Sequence, residues 1–250
     1  MADKILVVED NEAFREAARS YLEFRAGIEY ARDYEEALSR LSSGYNGAVF
    51  DCFFPQKTGS GIRELGLSAV EKMALQDPEE VKIRGIISRV GEILTLDKET
   101  LPIIRVWANS SVGYNTNIEP TIRALDRCSR ALGKDAAAKI ARNTFGMFSQ
   151  DKSYARKDYF AALASAIAES EANQPLGILL AERAEELGLP FVLATSTNHH
   201  DILTQPVCNY AGRKRWRLVD CPKDREADKG TAGFWENVYF NLQREMEARR

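Results

Sequence analysis

Short apolar runs alternate with amphipathic segments at the start of the chain. Lys4–Val8 and residues 47–51 are strand-sized runs, of the kind that form buried parallel strands. Between them, apolar side chains recur at helical spacing over 11–26, a short strand follows at 28–31, and a second helix follows Asp33. The β-α-β-α-β order predicts a parallel sheet with helices on both faces.

The same alternation returns near the end of the chain. It predicts a helix over 176–190, a strand over 191–197, a strand over 216–220 and a final helix over 231–250. The last helix carries an aromatic stripe, which fits burial against the sheet and equally fits self-association into a homodimer. The basic run 213–217 is typical of a solvated loop before a strand.

The middle of the chain has a different pattern. Residues 62–174 are predicted to be helical almost throughout, as five or six amphipathic helices separated by Pro and Gly breaks. Helices this apolar should pack into a bundle with its own core. We therefore predict a discontinuous α/β domain over 1–61 and 175–250, interrupted by an all-helical insertion over 62–174.

Composition sets the class of protein. The chain has 250 residues, of which 44% are hydrophobic and 28% charged, as in ordinary globular proteins. A net charge of −3 gives no electrostatic footprint for nucleic acid. No secretory signal or membrane-spanning stretch is apparent, and the four cysteines form no CxxC pair, so the cytoplasm is the expected compartment.

Candidate chemistry lies at the ends of the predicted strands. Glu9 and Asp10 follow the first strand, and Asp51 ends the third. The carboxyl ends of parallel strands form the ligand crevice of such sheets, so three acids should meet there. They would repel one another without a divalent cation, and carboxylate oxygens suit Mg²⁺. His199 and His200 lack a convergent third ligand, so a polar loop is predicted there.

The residues after Asp51 carry a more specific pattern. Pro55 and Gly59 stand four and eight residues after this aspartate. Together with Glu9 and Asp10, this arrangement resembles the receiver domain of response regulators in two-component signalling. The resemblance covers about residues 3–61 and 175–250. It implies a flavodoxin-like, five-stranded parallel sheet in the order 2-1-3-4-5, with the helical segment as an insertion.

The resemblance also implies roles for individual residues. Asp51 would be the phosphoacceptor, and Glu9, Asp10, Asp51 and the backbone carbonyl of Phe53 would hold Mg²⁺. The hydroxyl of Thr195 would bind a phosphoryl oxygen. Ser196 or Thr197 would take that role if the strand register differs.

The chain departs from the family pattern after the fifth strand. Receivers have a lysine directly before a proline there, whereas Cys221 precedes Pro222 here. Lys223 is the nearest candidate for the missing cation, and Lys214 is the alternative. A thiol could not replace a lysine, so this departure bears on whether phosphorylation is retained. Trp216 is the nearest candidate for the family's aromatic switch.

Three functions follow as expectations. The first is a receiver that is phosphorylated by a histidine kinase or phosphotransfer protein and relays its state to the insertion or to an unidentified downstream protein. It would catalyse only its own phosphorylation and dephosphorylation. The second is a degenerate receiver that binds proteins without phosphorylation. The third is a Mg²⁺-dependent phosphatase with a helical cap, which Phe53 disfavours because such enzymes carry a second aspartate at that position.

Overall fold

The computed structural model describes residues 3–150, 158–222 and 225–249. The chain forms two compact units, one made of Met1–Met73 with Tyr159–Arg250 and the other of Ala74–Asp158. The first is an α/β unit and the second is helical. None of the helices in the described ranges is long and apolar enough to cross a membrane.

Five parallel strands form the sheet of the α/β unit. The strands are β1 (Lys4–Val8), β2 (Gly27–Ala31), β3 (Gly47–Asp51), β4 (Phe191–Ala194) and β5 (Leu218–Val219). Their order is β2-β1-β3-β4-β5, and every neighbouring pair is parallel. The predicted flavodoxin-like fold is therefore confirmed, including the direct pairing of β3 with β4 across the long intervening segment.

Eleven α-helices are present in the described part of the chain. They are α1 (Glu12–Leu22), α2 (Tyr34–Arg40), α3 (Glu64–Gln76), α4 (Pro78–Ile93), α5 (Thr100–Gly113), α6 (Glu119–Leu132), α7 (Lys134–Gln150), α8 (Tyr159–Glu169), α9 (Gly177–Glu186), α10 (Thr204–Lys214) and α11 (Ala232–Ala248). Two 3-10 helices are also described. Glu171–Asn173 lies near the carboxyl edge of the sheet, and Glu226–Gly230 contributes a side chain to it.

Local capping explains where the first helices begin. The Asn11 side chain accepts a hydrogen bond from Ala13 N, and the Asp33 side chain accepts one from Glu36 N. Helix α1 ends at Leu22, earlier than the periodicity predicts, and Gly27 already belongs to β2. The basic run predicted as a loop instead contains the end of α10.

Apolar cores lie on both faces of the sheet. One face packs α1 and α11 against the sheet, with Trp235 and Leu242 fully buried. The opposite core contains Phe50 and Phe54 together with residues from α3, α8, α9 and α10. Buried side chains of α3 and α8 in that core are Val70, Met73, Leu163 and Ile167.

This core accounts for the position of the unit boundaries. The sequence predicts boundaries at 61/62 and 174/175, whereas the compact units divide after Met73 and before Tyr159. Helices α3 and α8 both lie inside the predicted insertion, yet they bury apolar side chains in the α/β core. The helical unit itself has a separate core, in which Trp107 stacks on Phe145 with ring centroids 4.8 Å apart.

Candidate functional site

Three carboxylates converge at the carboxyl edge of the sheet. Each of Glu9, Asp10 and Asp51 offers an oxygen, and these oxygens lie within 4.8 Å of one another. Glu9 and Asp51 are buried, and Asp10 is half-buried. They line a cavity of about 200 Å³ in the α/β unit. Its other lining residues are Asn11, Phe14, Phe53, Ala172, Asn173, Thr195, Ser196, Thr197, Leu203 and Thr204.

The turn between β1 and α1 is held by a buried arginine. Arg15 Nη1 donates to the carbonyl oxygens of Glu9, at 2.9 Å, and Asp10, at 2.6 Å. The Glu9 side chain also accepts a hydrogen bond from Asn11 N. The guanidinium satisfies two carbonyls at the strand end and places positive charge beneath the acids, so the turn presents both carboxylates to the cavity.

Asp51 is fixed by its own backbone and by a close helix. Cys52 N donates to Asp51 Oδ1 at 2.7 Å and to Ala194 O at 3.0 Å. Helix α9 begins directly against this strand end, where a Cβ on Gly177 would lie 2.1 Å from Asp51 O. Only glycine permits this approach, because any side chain would overlap the backbone.

Among the described residues, Lys229 supplies the cation that pairs with the acids. Its Nζ lies 2.6 Å from Glu9 Oε2 and 2.9 Å from Asp51 Oδ1, and the side chain has no solvent exposure. Lys229 belongs to the 3-10 helix Glu226–Gly230, where its carbonyl accepts a hydrogen bond from Trp235 Nε1 at 2.8 Å. A lysine from a segment beyond the expected Lys-Pro position thus reaches the acids.

Of the two lysines proposed from the sequence, the structure describes only Lys214, and it places that lysine away from the acids. Lys214 ends α10, where its Nζ lies 4.0 Å from Glu185 and near the rings of Tyr210 and Trp216, outside the acid cavity. Lys223 lies outside the described residues. The signal that could have identified Lys229 is weak, because a single lysine in a polar stretch ordinarily indicates a solvated loop.

Burial and neighbouring charges shift the pKa values of the three acids and of Lys229. Burial raises the pKa of Glu9 to about 8, against the attraction of Lys229 and with added repulsion from Asp51. Burial and the charge of Asp51 raise the pKa of Asp10 to about 6. Burial also raises the pKa of Asp51, against Lys229. For Lys229, burial favours a lower pKa, but the charges of Asp51 and Glu9 outweigh it and raise the pKa.

The balance of charge among these residues indicates which kind of ion the site can hold. Within the described residues, one lysine pairs with the cluster of three carboxylates, so the fully ionised cluster keeps surplus negative charge in a partly desolvated cavity. Closely spaced carboxylate oxygens are the ligands that hard divalent cations prefer. The donor set therefore fits Mg²⁺, with Glu9, Asp10 and Asp51 as protein ligands, and Phe53 lines the same cavity.

Hydroxyl groups form the wall that follows β4. This strand ends at Ala194, so Thr195, Ser196 and Thr197 lie in the loop rather than in the predicted strand. Thr195 is buried, and its Oγ1 lies 2.9 Å from that of Thr197, which also contacts Thr204 Oγ1 at the start of α10. All four residues line the cavity.

Two other predicted features lie outside the acid cluster. His199 is in the loop before α10, with Nδ1 2.7 Å from Asp220 Oδ2, so it ties that loop to the end of β5. Trp216 packs against Phe191 and Tyr210 rather than lining the cavity.

No protein-family model, curated protein or solved structure matches this chain. The residues of the site are therefore what indicates a function for this chain.

Proposed function

We propose that the chain is a phosphoacceptor signalling domain in which Asp51 receives a phosphoryl group with the help of Mg²⁺. The observation that carries the proposal is the convergence of Glu9, Asp10 and Asp51 on one cavity, with Lys229 between two of them. An acceptor carboxylate needs positive charge around it, because phosphoryl transfer depends mainly on positioning and charge neutralisation.

The transfer step follows from this arrangement. A carboxylate oxygen of Asp51 attacks the phosphorus of a phosphohistidine or of a small donor such as acetyl phosphate. The new bond gives an acyl phosphate, and the bond from phosphorus to the donor nitrogen or oxygen breaks. The imidazole or acetate leaves with the electron pair. Bound Mg²⁺ supplies charge neutralisation for the phosphoryl oxygens.

The chain's own groups would complete the anion site. Lys229 neutralises Asp51 before transfer and can pair with a phosphoryl oxygen afterwards, because its flexible stem carries a point charge. The Thr195 hydroxyl can donate to another phosphoryl oxygen by giving up its contact with Thr197. Such an exchange of partners would couple Asp51 to the start of α10 through Thr204.

A donor and a receiver of the signal are part of this proposal. A histidine kinase or phosphotransfer protein in the cytoplasm would supply the phosphoryl group. The output would be a downstream protein or the chain's own helical unit, by a bias between two conformations. A homodimer is one form that this output can take.

The proposal is tested by intact-mass measurement after incubation with acetyl phosphate and Mg²⁺. We expect one phosphoryl adduct, which the Asp51→Asn variant lacks. Asp135→Asn is the matched control, since Asp135 is exposed in the helical unit and should leave the adduct unchanged. Absence of the adduct from the wild-type protein under conditions that saturate Mg²⁺ would reject the proposal.

A second candidate is a degenerate receiver that binds a partner without phosphorylation. One observation favours it: Lys229 already pairs with Glu9 and Asp51, which partly neutralises the cluster without a metal. This alternative predicts no adduct and an unchanged partner affinity in Asp51→Asn. Steady turnover of a generic phosphate ester would instead favour a phosphatase, although Phe53 occupies the place of the second aspartate that such enzymes use.

A further inference from the structure

One wall of the acid cavity comes from the segment Ser170–Gln174. Ala172 and Asn173 line the cavity together with Glu9, Asp10 and Asp51, and the segment contains the 3-10 helix Glu171–Asn173. It follows α8 in the chain and belongs to the α/β unit. No element of the expected receiver core supplies this wall, so it is a feature of this chain.

Glu171 ties the segment to the loop that follows Asp51. Its Oε1 accepts a hydrogen bond from Gly59 N at 2.7 Å, and its Oε2 accepts one from Gly61 N at 2.5 Å. Both glycines have positive φ, 73° and 68°, which turns their N–H groups toward one carboxylate. These contacts are solvent-exposed, so they can open without desolvation of a charge.

Gln174 anchors the other end of the segment in the interior. Its side chain is fully buried, accepts from Gly66 N at 3.2 Å and donates to Ile62 O at 3.0 Å. Its carbonyl accepts from Phe54 N at 3.2 Å. A buried amide with these partners satisfied is costly to displace, whereas the half-buried carboxylate of Glu171, whose hydrogen bonds are open to solvent, is less so. The segment therefore has a firm end at Gln174 and a releasable end at Glu171.

We propose that Ser170–Gln174 is a strap that restricts access to Asp51, with Glu171 as its latch and Gln174 as its hinge. The inference rests on the proposed function, because it concerns the access of phosphodonor and water to the same carboxylate. Release of the latch moves Ala172 and Asn173 away from the acids. It thereby speeds both phosphoryl uptake and attack by water on the acyl phosphate, which breaks the bond between phosphorus and the Asp51 oxygen.

The latch is tested first without any phosphoryl transfer. Hydrogen exchange of peptides covering 57–66 and 170–174 is compared between wild type, Glu171→Ala and Glu169→Ala. Glu169 is exposed two residues away and carries the same charge, so its variant is the matched control. We expect exchange at Gly59 and Gly61 to accelerate by roughly five- to tenfold in Glu171→Ala alone, the factor that corresponds to the loss of about one net hydrogen bond. Unchanged exchange would overturn the latch.

The gating is tested by the rates of adduct formation with acetyl phosphate and of its later hydrolysis. Both rates should rise in Glu171→Ala and stay at the wild-type values in Glu169→Ala. Gly66→Ala tests the Gln174 end of the strap. The added Cβ would lie 2.6 Å from Gln174 Cγ, so this variant should displace the strap and raise both rates too. Its control is Gly212→Ala, whose Cβ meets nothing within 4 Å.

The outcomes separate this inference from the proposed function. Faster exchange with unchanged or lower rates would overturn the strap as a gate, while Asp51 would still be the acceptor. No adduct in the wild-type protein or in any variant would reject the proposed function, and the gate with it.

Discussion

Lys229 and Glu9 form a buried ion pair, and loss of either side chain would cost free energy of folding. Each is desolvated, and each has the other within 2.6 Å. The net stabilisation from such a pair is small, because its attraction mostly offsets the desolvation of two charges. Removal of one member is different, since it leaves the other buried without its partner. The residues of this site therefore depend on one another more than their individual contacts suggest.

Substitution of Lys229 should show this dependence. Lys229→Met keeps the stem but removes the charge, so Glu9 and Asp51 lose their counter-ion. We expect the free energy of unfolding to fall by about 3–5 kcal/mol in metal-free protein, the usual effect of breaking a buried pair. Urea titration at pH 9, above the raised pKa of Glu9, measures it. Lys139→Met, at an exposed position of α7, should stay within about 0.5 kcal/mol of the wild type.

The raised carboxyl pKa values predict an unusual pH dependence. Asp10 has a folded pKa of about 6 against an ordinary value of 3.8, and Glu9 about 8 against 4.5. The folded state binds these protons more tightly, so both groups stabilise it below their ordinary values. That stability is lost as pH rises through about 6 and then about 8.

The measurement is the Tm in EDTA between pH 5 and 8.5. The wild type should lose more stability over this range than Asp10→Asn, which has one titrating group fewer. Saturating Mg²⁺ should restore the wild-type Tm at pH 8, because it binds the ionised cluster of the folded state. Parallel pH profiles for the two proteins, with no Mg²⁺ effect, would contradict the charge assignment.

At the scale of elements, helix α9 positions Asp51 because the helix starts with a glycine. Gly177 lets the first turn lie against the backbone of Asp51, and its N–H donates to Cys52 O at 3.3 Å. The end of β3 is thus enclosed by β4 on one side and by this helix start above it. The position of the carboxylate is then a property of the packing between the strand and the helix.

A single methyl group should disturb this packing. In Gly177→Ala, the added Cβ would overlap Asp51 O, so helix or strand must shift. We expect a loss of at least about 1–3 kcal/mol of stability, as for other overpacked positions, and slower phosphoryl uptake. Gly233→Ala in α11, where the Cβ meets nothing within 4 Å, is the control for helix propensity. Denaturant titration and adduct kinetics decide the result.

The elements also show what a sequence can and cannot predict. Apolar periodicity identifies the strands and the capped starts of α1 and α2, because these depend on local pattern. It does not identify α10, where Pro206 interrupts the pattern although proline is tolerated in a first helical turn. Lys229 is harder still, since its burial depends on how the 3-10 helix Glu226–Gly230 packs near Phe14 and Glu9.

At the scale of the whole molecule, the interrupted domain keeps a single continuous sheet. The meeting of the three acids follows from the sequence, because strand ends of a parallel sheet must meet at one edge. The strand order follows from the resemblance to receiver domains. The unit boundaries do not follow, because α3 and α8 have the same helical periodicity as the helices between them. What distinguishes α3 and α8 is the core that they enter, which is a tertiary property.

Excision of the helical unit tests this assignment of boundaries. Replacement of 74–158 by a short Gly/Ser linker keeps Met73 and Leu163 in the α/β core and should give a cooperative thermal transition. Replacement of 62–174 removes both side chains, with a cost of several kcal/mol, and should leave a largely unfolded chain. Circular dichroism melts of the two deletions provide the comparison, and equal stability would place the boundary elsewhere.

The late position of Lys229 has a consequence for biosynthesis. A ribosome synthesises the aspartate of β3 well before the lysine that balances it. Until then, the nascent chain carries the acidic residues that follow β1 and end β3 without the counter-charge of Lys229 and, at first, without β4 and β5. The ion pairs of the site therefore form only after Lys229 has been synthesised, so products of interrupted synthesis that stop before it would lack this counter-charge.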